Sequence, residues 1–265
     1  MIIPSGKPGT LASAARLTND LIAFIDFSND YGWEGNTAND LLDRSVKYST
    51  PAGFVSVVSG STAEPGYIQL DGSTDYLVAG KSASGMMTLE DFTIEAWVYP
   101  GKTATQAIAS FAKIPAVGAT VADKGFIVQT VNTGAFSYPR VTYYTSSLAS
   151  RVANLTGITL AKDQWSCIFL RNKVNADTTC NVTGKIFKPN GISAANLTAG
   201  ATAAAGAITG VTSSNALHIG STNVGSASRS YWQGNIGSVK IYNRRLTNEE
   251  IEKNYNQSKK RYGHS

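Results

Sequence analysis

The sequence predicts an all-β protein, a two-sheet antiparallel sandwich, and three observations lead there. Residues 92–99 alternate without a break, with Phe92, Ile94, Ala96 and Val98 on one side and Thr93, Glu95, Trp97 and Tyr99 on the other. That is the period of a strand packing one face into a core. At least ten short segments rich in β-branched and aromatic residues succeed one another, separated by Gly, Asn, Ser and Pro. Helical periodicity is nearly absent, which leaves packed sheets as the way to bury the apolar residues.

A length of 265 residues suits one large β domain, or at most two small ones. Charged residues make up 15% of the chain, against roughly 25% in ordinary soluble domains, so the surface leans on Ser, Thr, Asn and Gly. No apolar run approaches the roughly 20 residues that a membrane-spanning helix needs. Met1–Gly9 lacks the basic and apolar blocks of a signal peptide, and with Met1 retained the expectation is neither Sec export nor a membrane.

Residues 1–20, with Pro4, Gly6, Pro8 and Gly9, read as an N-terminal arm, 21–257 as the folded domain, and 258–265 as a basic tail. Leu21–Phe27 is the first strand. Residues 66–78 then place Asp71-Gly72 and Ser73-Thr74-Asp75 between two short apolar runs, a hairpin signal. After the alternating strand at 92–99 come Ala107–Phe111, Gly125–Val131, Arg140–Thr145, Trp165–Arg171, Val182–Lys188, Ala216–Ile219 and Ile236–Tyr242. Residues 193–215 read as a surface connection, because Gly200, Gly206 and Gly210 interrupt any helix.

One helix is specified by its own start. Thr247 caps the amide of Glu250, Glu250 reaches back to Thr247, and Leu246 packs on Ile251, a capping box with a hydrophobic staple. The chain's net charge is +5, and residues 240–265 hold seven basic residues against three acidic ones. With no aromatic-interleaved basic stripe, this tail reads as solvated, and nucleic acid is not an expected partner.

Cys167 and Cys180, the only cysteines, cannot make a zinc site alone. They read as facing each other across a hairpin whose turn is Arg171–Ala176, as reduced thiols in a chain made in a cytosol, with a disulfide as the alternative. Asn154, Asn181, Asn196 and Asn256 begin Asn-x-Ser/Thr triplets that read as accidental.

Several of these segments together resemble the laminin-G-like, concanavalin-A-like jelly rolls. Asp71-Gly72 followed by Asp75-Tyr76, then Phe92-Thr93-Ile94-Glu95-Ala96-Trp97-Val98, looks like that family's signature. Leu21–Phe27 resembles its opening strand, and Asp163-Gln164-Trp165 its Gly-Gln-Trp, with Lys185–Gly191 like the strand and turn that follow. Asn39-Asp40 and Asp43-Arg44-Ser45 match its Asp-Ser-Gly loop loosely, without the glycine. Gly234–Thr247 looks like the closing strand and capped helix, with Gly237-Ser238 where many relatives carry Asp-Glu. The resemblance covers about residues 21–257 and implies a jelly-roll sandwich. It implies much less about function, since one fold hosts many tasks.

Three kinds of site are candidates. Glycoside hydrolysis needs two carboxylates flanking the bond, and Glu95 has only Thr93 and Trp97 at its alternate positions. Two histidines, His218 and His264, leave few members for a nucleophilic triad, so no enzyme is expected. A glycan site could draw on Tyr138, Tyr143, Tyr144, Arg229 and Trp232, although such rings more often fill the core. A calcium ion could be held by Asp71 and Asp75, as the resemblance implies for related domains; the other reading makes both of them turn formers.

The expectation is therefore a non-enzymatic structural protein of a virus particle, a bacteriophage capsid decoration or surface protein. It would be held to other virion or capsid proteins, or to copies of itself, through a terminus. The alternative is a glycan-binding adhesin or lectin module, virion-borne or extracellular.

Overall fold

The computed structural model describes residues 21–27, 55–58, 62–64, 66–79, 91–111, 113–114, 125–134, 136–144, 150–174, 180–189, 217–224 and 230–265. The arm at 1–20, the loop at 39–45 and the connection at 193–215 lie outside these residues.

Two seven-stranded antiparallel sheets face each other. The first holds β1 (Leu21–Asp26), β3 (Thr62–Glu64), β4 (Tyr67–Asp71), β6 (Phe92–Pro100), β12 (Ser166–Val174), β13 (Cys180–Phe187) and β16 (Gln233–Tyr242). Its order is β13-β12-β6-β16-β4-β3, with β1 also on β16. The second holds β2 (Val55–Val58), β5 (Tyr76–Ala79), β7 (Gln106–Ser110), β9 (Gly125–Asn132), β10 (Ser137–Tyr144), β11 (Ser150–Asn154) and β14 (Leu217–Ile219), in the order β11-β10-β9-β7-β14-β5-β2. A small parallel pair joins β8 (Lys113–Ile114) to β15 (Asn223–Val224). The sandwich expected from the alternation is thus observed.

Alternation decides which side chains meet between the sheets. Phe92, Ile94, Ala96 and Val98 of β6 join Ile68, Leu70, Ile168, Leu170, Ile236 and Val239 of the same sheet in one buried cluster. Facing them are Leu77, Ile108, Phe126, Val128 and Val141 of the second sheet, and Phe92 stacks on Phe126 at 5.0 Å. Full burial of side chains this size stabilises by about 1.5–3 kcal/mol each.

The opposite face of β6 is buried as well, because the C-terminal helix covers it. Helix α1 (Asn248–Ser258) lays Ile251 and Tyr255 on Trp97, Cys167, Phe169 and Phe187, a second apolar cluster outside the sandwich. The expected cap is present. Thr247 Oγ1 accepts from the Glu250 amide at 3.3 Å, and Glu250 Oε2 accepts from the Thr247 amide at 2.8 Å. Arg244 adds two bonds to the Glu250 carboxylate, at 2.8 and 2.6 Å.

Glu95 lies under the helix too. It pairs with Lys240 at 2.7 Å and accepts from Asn254 Nδ2 at 2.9 Å. A carboxylate removed from water persists only with such partners.

Two expectations need correction. The basic tail is folded back onto its own domain and is not simply solvated. Residues 259–262 form a 3-10 turn whose Tyr262 is buried and stacked 4.2 Å from Trp97. Arg261 Nη1 reaches both oxygens of Asp26 on β1, at 2.9 and 3.0 Å.

The cysteines do not face each other either. The hairpin β12–β13 exists, but Cys167 pairs with Phe187 and Cys180 with Val174. The two cysteines therefore sit seven positions apart along the strand, about 23 Å at roughly 3.3 Å per residue.

Candidate functional site

Helix α1 and the turn after it cover only part of the first sheet's outer face. Beyond them, at the ends of β4, β6 and β16, a groove of about 370 Å³ stays open. Gln69 and Asp71 come from β4, Tyr99 from β6, and Gln233 and Asn235 from β16; Asp163 precedes β12. The pleat explains this set. Ile68 and Leu70 point into the sandwich, so Gln69 and Asp71 point away from it, and Tyr99 has the same parity as Trp97.

The base of the groove is held tightly. Gln106 is fully buried, its Oε1 accepts from the Gln233 amide at 2.6 Å, and its Nε2 donates to the Lys102 carbonyl at 2.9 Å. The Gly101 amide donates to the Gln233 carbonyl at 2.8 Å. Gly234 has φ 122°, and a Cβ there would fall 2.1 Å from the Tyr99 carbonyl oxygen. Only glycine allows that approach.

Tyr99 is the aromatic ring among the groove's lining residues, and further rings stand behind it. Trp165 meets Tyr99 edge-on at 5.6 Å and Tyr67 at 5.8 Å, and Tyr262 of the C-terminal turn lies against it at 4.7 Å. Three side-chain amides and carboxylates thus stand beside the half-buried phenol ring of Tyr99. Such a surface can exchange hydrogen bonds with hydroxyl groups while its ring covers an apolar C–H face.

Asp71 and Asp75 lie at this groove, but their oxygens serve the turn. Asp71 Oδ1 accepts from the amides of Ser73, Thr74 and Asp75 at 2.8, 2.9 and 3.1 Å. Its Oδ2 accepts from the hydroxyls of Ser73 and Thr74. Asp75 Oδ2 accepts from the Asp71 amide at 3.2 Å. Partial desolvation pushes the Asp71 carboxyl upward, but the bonds from Ser73, Thr74 and Asp75 outweigh it and hold the group well below the usual range. A calcium ion would have to displace these bonds. Among the described residues no group of three or more His, Cys, Asp and Glu is placed to hold a metal ion.

The aromatic cluster expected from the sequence is not brought together as a whole. Tyr138 is half-buried on β10, opposite Val131. The backbone places Tyr143 opposite Phe126 and Tyr144 opposite Gly125, while Arg229 lies outside the described residues. Trp232 is fully buried between the sheets and offers no ring face to a ligand.

The sequence reading missed Gln69, Tyr99, Asp163, Gln233 and Asn235 as one site. One signal was available for Gln69 and Tyr99: each has the outward parity next to core residues at a strand's end.

A laminin G family model, described as the concanavalin A-like lectin/glucanases superfamily, matches residues 71–252. No curated protein matches the chain. Among solved structures, a mutant of Trypanosoma rangeli sialidase displaying trans-sialidase activity is similar at 15% identity and a TM-score of 0.57, over 94% of this chain and 34% of that one. The binding domain of botulinum neurotoxin serotype D is similar at 10% identity and a TM-score of 0.54, over 90% of this chain and 52% of that one. The chain thus spans about a third of the sialidase's length and about half of the toxin domain's.

Proposed function

The chain belongs to the concanavalin A-like lectin/glucanases superfamily, and from that membership we propose that it is a non-enzymatic glycan-binding module. The observation that carries this reading is the open groove. Side-chain amides of Gln69, Gln233 and Asn235 stand beside Tyr99 on a base fixed by Gln106 and Gly234. Preformed polar groups beside an aromatic ring suit a ligand that presents hydroxyls at its edge and C–H groups on its face.

The virus-particle reading drew on a terminus as the point of attachment, either residues 1–20, which lie outside the described residues, or the C-terminal tail. That tail is fastened to β1 and to Trp97 of its own chain, and the family match favours the glycan reading. Such a module meets its ligand outside a cell or on the surface of a particle.

The test is a glycan array probed with the full chain, followed by calorimetric titration of the best binder. Removing the amides with Gln69→Ala and Asn235→Ala together should weaken binding about tenfold, the sum of two modest hydrogen bonds, with the melting temperature kept. Binding unaffected by both changes would place the ligand elsewhere. A null array would end the proposal.

A further inference from the structure

The groove carries acid on a molecule whose net charge is +5. One of its acids also stands in a backbone conformation that its residue type resists. Asp163 has φ 56°, the only non-glycine among the described residues in the left-handed region. Glycine sits there without strain, whereas a side chain costs energy that aspartate tolerates better than most.

The position is rigid. The Asp163 amide donates to the Pro100 carbonyl at 2.8 Å, which pins the residue to the end of β6. Its side chain lines the groove and is 57% exposed, so its oxygens are within a ligand's reach. Asp71 shares the lining but differs in kind. Its five accepted hydrogen bonds leave it a source of negative potential with little capacity to bond a ligand.

Two nearby cations, Lys102 and Lys162, offset part of this field, but three carboxylates, Asp71, Asp75 and Asp163, line the groove. Lys162 Nζ lies 3.3 Å from Asp163 Oδ2, but both side chains are more than half exposed and such pairs are weak. Neither Lys162 nor Lys102 lines the groove.

We propose that Asp163 determines the ligand class of this groove: it accepts hydrogen bonds from hydroxyl or ammonium groups of an uncharged or amino-bearing glycan, and it rejects glycans that carry a carboxylate or sulfate. The inference rests on the glycan-binding reading above. Its physical basis is that like charges brought together at an interface cost enough to reject a partner, and that salt weakens the rejection.

The test uses matched oligosaccharides titrated into the full chain: N-acetyllactosamine, its sialylated form and its sulfated form, with oligomers of glucosamine and N-acetylglucosamine as the amino pair. The neutral members should bind about fivefold or more tighter than the acidic ones at low ionic strength, with the ratio narrowing in salt. Asp163→Asn keeps the shape and the tolerance for positive φ while removing the charge. It should bring the acidic-to-neutral affinity ratio toward one.

Glycans that bind with no preference by charge, or a preference unchanged in Asp163→Asn with its fold confirmed by melting, would overturn this assignment and leave the glycan reading standing. If no member of either series binds, both fall together. The salt series on the unmodified chain decides the charge question even if the variant is unstable.

Discussion

A missing methyl group decides how the C-terminal segment seats. A Cβ on Gly237 would fall 2.3–2.5 Å from atoms of the Tyr262 ring, so the bulge in β16 is the socket for that ring. The resembled family motif carries aspartate and glutamate here, and the exchange to Gly237-Ser238 makes room for an aromatic where acids would stand. Two residues after Tyr262, His264 is 2% exposed, with Nε2 3.2 Å from the Trp165 carbonyl and Nδ1 3.1 Å from the Tyr255 hydroxyl. A carbonyl only accepts, so Nε2 carries the proton and Nδ1 accepts from Tyr255. Burial pushes the His264 pKa below 6.5; the Trp165 carbonyl opposes this and Lys259 adds to it.

A folded-state pKa below the unfolded one means that the neutral ring is the stabilising form. Its contribution is complete above pH 6.5 and is lost as the pH falls through the folded value. Urea melts should therefore show stability declining below about pH 6.5, and His264→Gln should make that decline shallower. An identical decline in the variant would assign it to other groups. At the helix start, Thr247→Ala should cost about 1 kcal/mol in the same assay. An unchanged midpoint would mean that Arg244 and Glu250 hold the first turn without the cap.

Among the elements, those with strong contrast between their two faces were legible. β6 and the capped helix could be read because alternation and the capping box are local patterns. β2, β3, β8, β11 and β15 were not: two to five residues are too few for a period to show, and the equally short β4, β5, β7 and β14 were read from composition and flanking turn residues instead. The β12–β13 hairpin was found in the wrong register for a specific reason. Arg171, Asn172 and Lys173 look like a turn, yet Asn172 is fully buried within the sheet, paired with Phe92 and Val182. The strand runs on to Val174 and the cysteines slide apart.

Burial, with Glu95 nearby, pushes the Cys167 thiol well above its ordinary range. Cys180→Ser protein should thus take up no maleimide by mass spectrometry until it is unfolded. Rapid labelling in the native state would contradict the buried placement. The groove escaped the sequence reading because Gln69, Tyr99, Asp163 and Asn235 belong to four separate segments that converge only in the folded sheet. Each by itself looks like an ordinary solvent-facing position.

On the scale of the whole molecule, β16 joins what the rest of the chain leaves apart. Its first half pairs with β4 and its second half with β1, while β6 runs along its other edge. Until residues 233–242 are in place, β1, β4 and β6 have no partner on that side, although β1 lies some two hundred positions earlier. The last strand among the described residues is therefore a central one. During synthesis the first sheet waits as three unjoined pieces, β13-β12-β6, β4-β3 and β1, with bare inner edges, the arrangement in which chains pair with the wrong neighbour. The loop that must close before β1 meets β16 spans nearly the whole domain, and such distant pairings are slow to form. Refolding from urea, followed by tryptophan fluorescence, should take milliseconds to seconds or longer, and a chain stopped before residue 233 should aggregate instead of holding a smaller native fold.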